Sequence, residues 1–193
     1  GYVRITQFID NTDELFEKAV EKLKKEGMQA LMIDVRSDPG GMLTSVVNIC
    51  DYLLPEGTIV SIKNIDGKVE EEYKSTDEQS LDVPMVVLTN EYSASASEIL
   101  TSALKEFGAA TVVGTNTYGK GIVQSVIPLG DGSAIKLTTQ KYFTHDGNDI
   151  HKKGVAPNIE VELPDDYTYK DFQGKNDTQY QKGIEVLKEK LSK

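Results

Sequence analysis

Apolar residues fall along the chain in two patterns, which predict four helices and eight strands. The helices are predicted at 13–26, 43–54, 96–107 and 177–191. The first and last of them have apolar residues every three or four positions, the period of a helix with one buried face. Short apolar runs without that period are typical of strands, and they lie at 2–8, 30–35, 58–63, 68–73, 83–89, 110–114, 122–129 and 133–142.

Turn-forming residues mark several boundaries between these elements. Asn11, with Glu14 three residues later, predicts a capping box at the start of the first helix, and Gly27 predicts its end. The Asp-Gly dipeptide at 66–67 predicts a hairpin between two strands. The polar segment 75–82 is predicted to be a surface loop.

The order of the elements predicts an α/β fold. Strands and helices alternate through the first part of the chain, and strands dominate the part that follows. The continuous apolar runs 30–35 and 83–89 are typical of parallel strands that are buried on both faces. A length of 193 residues suits one domain. The last helix is expected to be peripheral and amphipathic.

The net charge and the apolar content of the chain make some partners improbable. The net charge is -10, which argues against a nucleic-acid partner because phosphate binding needs a basic face. The sequence contains no run of 18 apolar residues, so no transmembrane segment is predicted. The chain starts at Gly1 without a signal-like segment, and we expect it to be a mature or excised piece.

Thiol and metal chemistry have little support in the sequence. Cys50 is the only cysteine, and its apolar neighbours predict a small buried hydrophobe rather than a reactive thiol. Paired-cysteine motifs and the zinc motif H-E-x-x-H are absent. We therefore expect no metal site and no cofactor.

The segment 83–124 contains most of the candidate chemistry, and part of it resembles a nucleotide loop. Residues 114–120 match G-x-x-x-x-G-K after a predicted strand. A phosphate loop also needs Ser or Thr after the lysine, and a helix whose amino end faces the phosphates. Here Gly121 follows Lys120, and a strand-like run comes next. The sequence therefore disfavours a nucleotide site.

Two other serine arrangements compete with a Ser-Lys pair. Ser102 and Lys105 match S-x-x-K, but they lie late in a predicted helix and the companion motifs S-D-N and K-T-G are absent. A Ser-His pair would need His145 or His151, which lie in a polar, glycine-punctuated segment typical of solvated histidines. Sequence separation alone leaves that pair open as a minor alternative.

Ser95 and Lys120 are the pair that the residue types favour. A serine hydroxyl needs a neighbouring base, and a lysine is a base only as the free amine, which burial away from carboxylates promotes. Ser95 lies between two alanines where a strand passes into a helix, and Lys120 lies between two glycines. A helix start also directs free N–H groups at developing negative charge. Composition alone leaves Ser93 and Ser97 equally plausible.

Three longer motifs contain these candidates. They are N-E-Y-S-A-S-A-S-E-I-L at 90–100, T-Y-G-K-G-I-V-Q at 117–124 and D-V-R-S-D-P-G-G at 34–41. Together they resemble the carboxyl-terminal processing peptidases, or tail-specific proteases, which are Ser-Lys peptidases of family S41. The resemblance implies a crotonase-like (Clp protease-like) core of β-sheet with flanking helices at 1–165. It leaves 166–193 as a C-terminal extension with the amphipathic helix.

The resemblance implies a catalytic role for three residues. Ser95 matches the nucleophile, Lys120 matches the general base, and Gln124 matches a glutamine that orients the lysine. If Lys120 and Gln124 lie on one extended strand they share a face, so the ammonium could donate to the amide oxygen.

The resemblance also implies an oxyanion hole built from backbone amides. One N–H is expected from Ala96, the residue after the nucleophile, and the other from Gly41 or Gly40 in the P-G-G turn. Glu98 matches a supporting acidic residue. Asp38 stands where asparagine is most common in the family, which places a negative charge near the expected oxyanion donors unless Asp38 points away from them or caps the following helix.

By resemblance, the chain is expected to be the core of a serine endopeptidase that cuts proteins near disordered, often apolar C-termini through an acyl-enzyme. A PDZ domain is expected upstream, a homo-oligomer is an open expectation, and the location is expected to be extracytoplasmic, either membrane-associated or in a bacterial periplasm or cell envelope. Two alternatives compete: a non-catalytic peptide- or ligand-binding module on the same core, and a core that is inactive without its PDZ domain.

Overall fold

The computed structural model describes residues 1–76 and 80–192, in which the backbone forms nine strands and four α-helices. The strands are β1 (Tyr2–Arg4), β2 (Leu31–Asp34), β3 (Gly57–Asn64), β4 (Val69–Ser75), β5 (Met85–Thr89), β6 (Ala110–Gly114), β7 (Ile122–Pro128), β8 (Ala134–Phe143) and β9 (Ile159–Glu160). The helices are α1 (Thr12–Lys25), α2 (Leu43–Leu53), α3 (Ala96–Glu106) and α4 (Thr178–Leu191).

A parallel sheet with the strand order β1-β2-β5-β6-β9 forms the centre of the fold. Successive side chains of a strand point to opposite faces, and both faces of this sheet are covered. Leu31 and Ile33 of β2 pack in the larger apolar cluster with helices α1 to α3. Met32, between them, packs with Val86 and with α4 in a second cluster. The predicted α/β architecture, with strands buried on both faces, is therefore confirmed.

Helix α4 is attached to the sheet by apolar packing and by a buried ion pair. Val186 and Leu187 pack against the outer face of the sheet. Arg36, which follows β2, donates to Asp34 at 2.7 Å and to Asp177 at 2.8 Å, and all three side chains are at most 5% exposed. Asp177 also accepts the N–H of Tyr180 at 3.0 Å and so caps α4. The helix at the end of the chain thereby anchors the turn that follows β2.

A second, antiparallel sheet has the strand order β4-β3-β8-β7. Strands β3 and β4 form the hairpin that the Asp-Gly dipeptide predicts. Strands β7 and β8 form a longer hairpin in which Ile127, Ile135 and Leu137 are exposed. Lys120 lies just before β7, so this hairpin begins beside the candidate base.

Two local predictions at the start of the chain are wrong. The first strand is shorter than 2–8, because Phe8 makes only an isolated bridge with Gly41. Asn11 occupies the N-cap position of α1, but its side chain makes no capping hydrogen bond. The Thr12 hydroxyl accepts the N–H of Ile9 at 2.9 Å and closes the turn in its place.

Other differences follow from the shortness of the segments involved. Strand β9, which no pattern predicts, has two residues and pairs with the end of β6. A single 3₁₀ turn covers Tyr169–Asp171. Part of the predicted loop 75–82 lies outside the described residues.

In the parts of the chain that are described, no helix has the length and apolar character needed to cross a membrane.

Candidate active site

Ser95 lies at a sharp turn between β5 and α3, immediately before the first residue of the helix. Its backbone angles are φ 57° and ψ -113°, a region that L-residues avoid and that is found mostly where surrounding structure enforces it for function. A similar strained strand-to-helix turn exposes the nucleophilic serine of α/β-hydrolases. The backbone thus presents the Ser95 side chain at the amino end of α3.

The two neighbouring serines are excluded by burial. The Ser93 hydroxyl donates to the Val35 carbonyl oxygen at 2.8 Å, and the Ser97 hydroxyl donates to the Asp38 carbonyl oxygen at 3.0 Å. Both side chains are fully buried, whereas Ser95 is half-buried. Of the three, only Ser95 is placed to meet a substrate.

The buried carboxylate of Glu98 joins the Ser95 turn to the Lys120 turn. One of its oxygens accepts the backbone N–H groups of Ser95 at 2.9 Å and Lys120 at 2.8 Å. The other accepts the Thr117 hydroxyl and the Gly119 N–H, both at 2.6 Å. Hydrogen bonds to an ionised acceptor are the strong ones, so one side chain fixes the backbones of both candidate catalytic residues.

The glycines beside Lys120 are required by close packing and not by a phosphate. Gly119 has φ 87°, and its carbonyl oxygen accepts the N–H of Lys152 at 2.8 Å. A Cβ atom on Gly121 would lie 2.7 Å from the backbone nitrogen of His151. The segment continues into β7 without a helix. The strand predicted after Lys120, where a phosphate loop would need a helix, is therefore confirmed.

The side chains of the candidate dyad are not hydrogen-bonded to each other in the described structure. Within residues 1–76 and 80–192, no hydrogen bond joins Lys120 Nζ to Ser95 Oγ or to the Gln124 side chain. Gln124 is exposed, and the strand register shifts between Val123 and Gln124. Lys120 also precedes β7, so the simple alternation that would place Lys120 and Gln124 on one face does not apply. Catalytic hydrogen bonds are often long in unliganded enzymes and shorten with substrate.

Gly40 brings the P-G-G turn against the Ser95 turn. Its φ is 92°, and a Cβ atom there would lie 2.5 Å from the Ala94 carbonyl oxygen and 2.8 Å from both Ser95 Cβ and the Ala96 nitrogen. Because only glycine adopts this conformation readily and leaves that space free, the turn reaches the backbone beside Ser95.

The N–H groups at this junction distinguish Gly41 from Gly40. The Gly40 N–H donates to the Asp38 carboxylate at 2.8 Å and is therefore engaged. The backbone of Phe8 forms hydrogen bonds with the residues before and after Gly41, as in a parallel bridge. The Gly41 N–H therefore points away from Phe8. In the described part of the chain neither the Gly41 N–H nor the Ala96 N–H has an acceptor. These two amides are the free donors beside Ser95.

Asp38 is fully buried in this turn. It does not cap α2, whose N-cap is Met42 without a side-chain hydrogen bond. One carboxylate oxygen accepts the Gly40 N–H, whereas the other has no partner among the described residues. Burial raises the pKa of Asp38 to about 6, against the opposing effect of the hydrogen bond from the Gly40 N–H.

Tyr142 is a residue of the site that the sequence motifs did not identify. Its backbone N–H donates to the Gly121 carbonyl oxygen at 3.1 Å. Burial raises the pKa of the Tyr142 hydroxyl, and a hydrogen bond with the Ser95 side chain partly opposes that rise. A separation of 47 residues gives no indication in the sequence that Tyr142 contacts Ser95.

Among the described residues, no hydrogen bond joins Ser95 to His145 or His151, or Ser102 to Lys105. His145 Nδ1 lies 2.8 Å from the Thr58 carbonyl oxygen, and its ring packs on Phe107 just beyond the far end of α3 from Ser95. The Ser102 hydroxyl and the Lys105 ammonium each donate to backbone carbonyl oxygens elsewhere, at 3.1 Å and 2.7 Å. The hydrogen bonds of Ser102 and Lys105 therefore do not support an S-x-x-K catalytic pair.

Cys50 and the acidic residues complete the survey of reactive groups. Cys50 is buried, and burial raises the pKa of its thiol. Among residues 1–76 and 80–192 there is no group of three or more His, Cys, Asp or Glu side chains arranged to hold a metal ion.

Comparisons with known proteins agree with these features. The sequence profile of Peptidase family S41 matches residues 1–161. The chain is 39% identical over 187 residues to a carboxyl-terminal-processing protease of Synechocystis sp., covering 97% of this chain and 43% of that protein. It is 45% identical over 166 residues to the carboxy-terminal processing protease CtpB of Bacillus subtilis, covering 86% of this chain and 34% of that protein.

A solved structure gives the same result at the level of the fold. The photosystem II D1 C-terminal processing protease superimposes with a TM-score of 0.83 and 34% identity, over 97% of this chain and 48% of that one. The chain thus spans less than half the length of these relatives. The profile match covers most of the chain, and the relatives exceed 30% identity. The chain belongs to peptidase family S41, and its fold is that family's crotonase-like core.

Proposed function

We propose that this chain is the core of a serine endopeptidase that cleaves polypeptides near disordered, apolar C-termini. The observation that carries the proposal is the Glu98 carboxylate, which holds the backbones of Ser95 and Lys120 at once. A carboxylate that served only to stabilise the start of α3 would not need the bond to the Lys120 N–H. The names of the relatives, which describe carboxyl-terminal processing proteases, support the substrate class.

In the proposed reaction Ser95 Oγ attacks the scissile carbonyl carbon while Lys120 Nζ, as a neutral amine, accepts the hydroxyl proton. The tetrahedral intermediate collapses when the C–N bond breaks, and the Lys120 ammonium returns the proton to the leaving amine. Water, which Lys120 deprotonates, then attacks the carbonyl carbon of the ester on Ser95. The second tetrahedral intermediate collapses when the bond to Ser95 Oγ breaks, and the Lys120 ammonium returns the proton to Oγ. This sequence needs the Lys120 and Ser95 side chains to approach each other when substrate binds, with Gln124 turning inward to orient the amine.

The Gly41 and Ala96 amides are proposed to form the oxyanion hole. They lack acceptors in the described residues, and they lie where the P-G-G turn meets the amino end of α3. Such donors each stabilise a transition state by about 3–4 kcal/mol. Gly40 serves a different purpose, since its N–H is bound to Asp38 and its lack of a side chain admits the turn.

The surroundings of this core are also part of the proposal. We place it in a longer extracytoplasmic protein with an upstream PDZ domain that delivers the substrate C-terminus, in a membrane-associated or cell-envelope setting. A homo-oligomer is compatible with this arrangement.

Cleavage of a peptide with an unstructured, apolar C-terminus by the full-length protein is the test. Ser95→Ala and Lys120→Ala should each reduce kcat by at least about 10³-fold, because removing either member disables a unit that works together. Ser102→Ala and Lys105→Ala are matched controls in α3, since their side chains bond to backbone oxygens away from Ser95.

Full activity in the Ser95→Ala or Lys120→Ala variant would refute the dyad. Peptide binding without cleavage by the wild-type protein would instead favour the non-catalytic module. Activity that appears only when the upstream region is present would identify the isolated core as the inactive form.

A further inference from the structure

Asp38 has an environment that an ionised carboxylate tolerates poorly. Its side chain is fully buried, and one carboxylate oxygen has no hydrogen-bond partner among the described residues. A buried charge without pairing is strongly disfavoured, and the carboxyl group takes up a proton instead. The rise of its pKa to about 6 agrees with this geometry.

The same residue ties together the two turns that supply the free amides. Its backbone carbonyl oxygen accepts the Ala94 N–H at 3.0 Å and the Ser97 hydroxyl at 3.0 Å, both at the start of α3. Its carboxylate accepts the Gly40 N–H at 2.8 Å, and Gly40 packs against Ser95. A change of charge on Asp38 is therefore felt beside Ser95, in a region that excludes water.

Among the described residues no ion pair neutralises Asp38. In its own turn, Arg36 is bound to Asp34 and Asp177. On α3, the Glu98 carboxylate is engaged with the Ser95 and Lys120 amides. The rise of the Asp38 pKa is caused by burial, and the opposing hydrogen bond from the Gly40 N–H brings no charge.

Within the described residues, the other elements around the site form no ion pair with Asp38, and this includes Lys120. The β1–α1 segment contacts the turn through Phe8, which is apolar, and Asp13 of α1 is engaged with Asn48 at 2.6 Å. Tyr142, facing Ser95 from β8, stays neutral since burial raises the pKa of its hydroxyl.

We propose that Asp38 is a positioning residue whose charge sets how well the Gly41 and Ala96 amides stabilise the oxyanion, so that the site works best when this carboxyl is protonated. The inference rests on the proposed function. An ionised Asp38 adds a fixed negative charge close to the developing one, and like charges repel strongly where water is excluded. Protonation of Asp38 removes that charge. The hydrogen bond from the Gly40 N–H stays intact, because the carboxyl oxygen that carries no proton is still an acceptor.

The test compares Asp38→Asn with wild type over a range of pH. Asparagine has the same shape, keeps an oxygen for the Gly40 N–H and cannot ionise. The quantity to measure is the ratio of kcat/KM for Asp38→Asn to that of wild type in the full-length protein, from pH 5 to pH 8. Titration of Lys120 affects numerator and denominator alike, so the ratio isolates Asp38.

The expected ratio is near one at pH 5 and rises to about tenfold at pH 8, the change expected from roughly 1.4 kcal/mol of repulsion. The midpoint should lie near 6, the pKa of Asp38. Asp66→Asn, in the exposed turn between β3 and β4, is the matched control, and its ratio should stay flat. A flat ratio for Asp38→Asn, or a loss of activity at every pH, would overturn the proposal.

Two further measurements keep the outcomes separable. If Ser95→Ala is as active as wild type, the proposed function fails, whereas a flat Asp38→Asn ratio with an inactive Ser95→Ala variant rejects only the role of Asp38. If Asp38→Asn does not fold, the Asp38 carboxyl can be titrated by carbon NMR in the Ser95→Ala protein. A midpoint near 6 would support the proposal, and one at the ordinary aspartate value of about 4 would overturn it.

Discussion

Glu98→Gln is the substitution that most directly tests how the site is assembled. The variant keeps the shape of the side chain but replaces one carboxylate oxygen by an NH₂ group. Each oxygen now accepts two hydrogen bonds, one pair from Ser95 and Lys120 and the other from Thr117 and Gly119. Whichever way the amide is turned, its NH₂ group faces two donors.

The magnitude follows from those four bonds. A hydrogen bond to a charged group contributes about 1.5–3 kcal/mol, so losing one pair costs the folded state about 3–6 kcal/mol. If the NH₂ group faces Ser95 and Lys120, their turns separate. A displacement of about 1 Å between reacting groups can reduce the rate by about 10²-fold. We therefore expect kcat to fall at least about 100-fold, with a much smaller change in KM.

The assay is peptide cleavage combined with urea denaturation, and α3 offers a matched control. Glu106, at the other end of the helix, also accepts three hydrogen bonds, from the Thr144 hydroxyl, the Asn148 amide and the Asp146 N–H. Glu106→Gln should cost stability without changing kcat. A Glu98→Gln protein with kcat within about threefold of wild type would refute the reasoning, as would an equal loss of kcat in Glu106→Gln.

Two further substitutions test the anchoring of the P-G-G turn. Asp177→Ala removes one partner of the buried Arg36 and should lower the free energy of unfolding by about 3–5 kcal/mol in urea denaturation. The control Asp131→Ala, in the exposed β7–β8 turn, should lower it by less than about 1 kcal/mol. Equal effects of the two substitutions would contradict the anchoring role. Gly40→Ala places a methyl group 2.5 Å from the Ala94 carbonyl oxygen and should abolish peptide cleavage. The control is Gly67→Ala, because a Cβ atom at Gly67 meets no other atom. It should cost about 1–2 kcal/mol of stability and leave kcat unchanged. A fully active Gly40→Ala protein would show that the turn need not approach Ser95.

The larger elements could be predicted because their patterns are long. The segments 30–35 and 83–89 are continuous apolar runs, and the structure buries both faces of the corresponding strands. The capping box at Asn11 failed because Thr12 offers a competing hydroxyl one residue later. Strand β9 failed because two residues carry no period, and its pairing partner decides its conformation.

The site was predictable in its residues but not in its contacts. Motif register selects Ser95 over Ser93 and Ser97, and burial of the other two gives the physical reason. The sequence could not show that Glu98 bonds to Lys120, since the two are 22 residues apart and meet only when the turns fold against each other. For the same reason it could not choose between Gly41 and Gly40, a choice that depends on which N–H the Asp38 carboxylate takes. The roles of these residues stay predictions.

The bond between Arg36 and Asp177 has a consequence for how the protein is made. The two residues are separated by 141 positions, and a ribosome adds about 5–20 residues per second. After β2 and β5 have been synthesised, a time on the order of 10 s therefore passes before α4 exists to cover Met32 and Val86. A sheet formed in that interval would expose this apolar face to other nascent chains. The face can be covered only once α4 has been made.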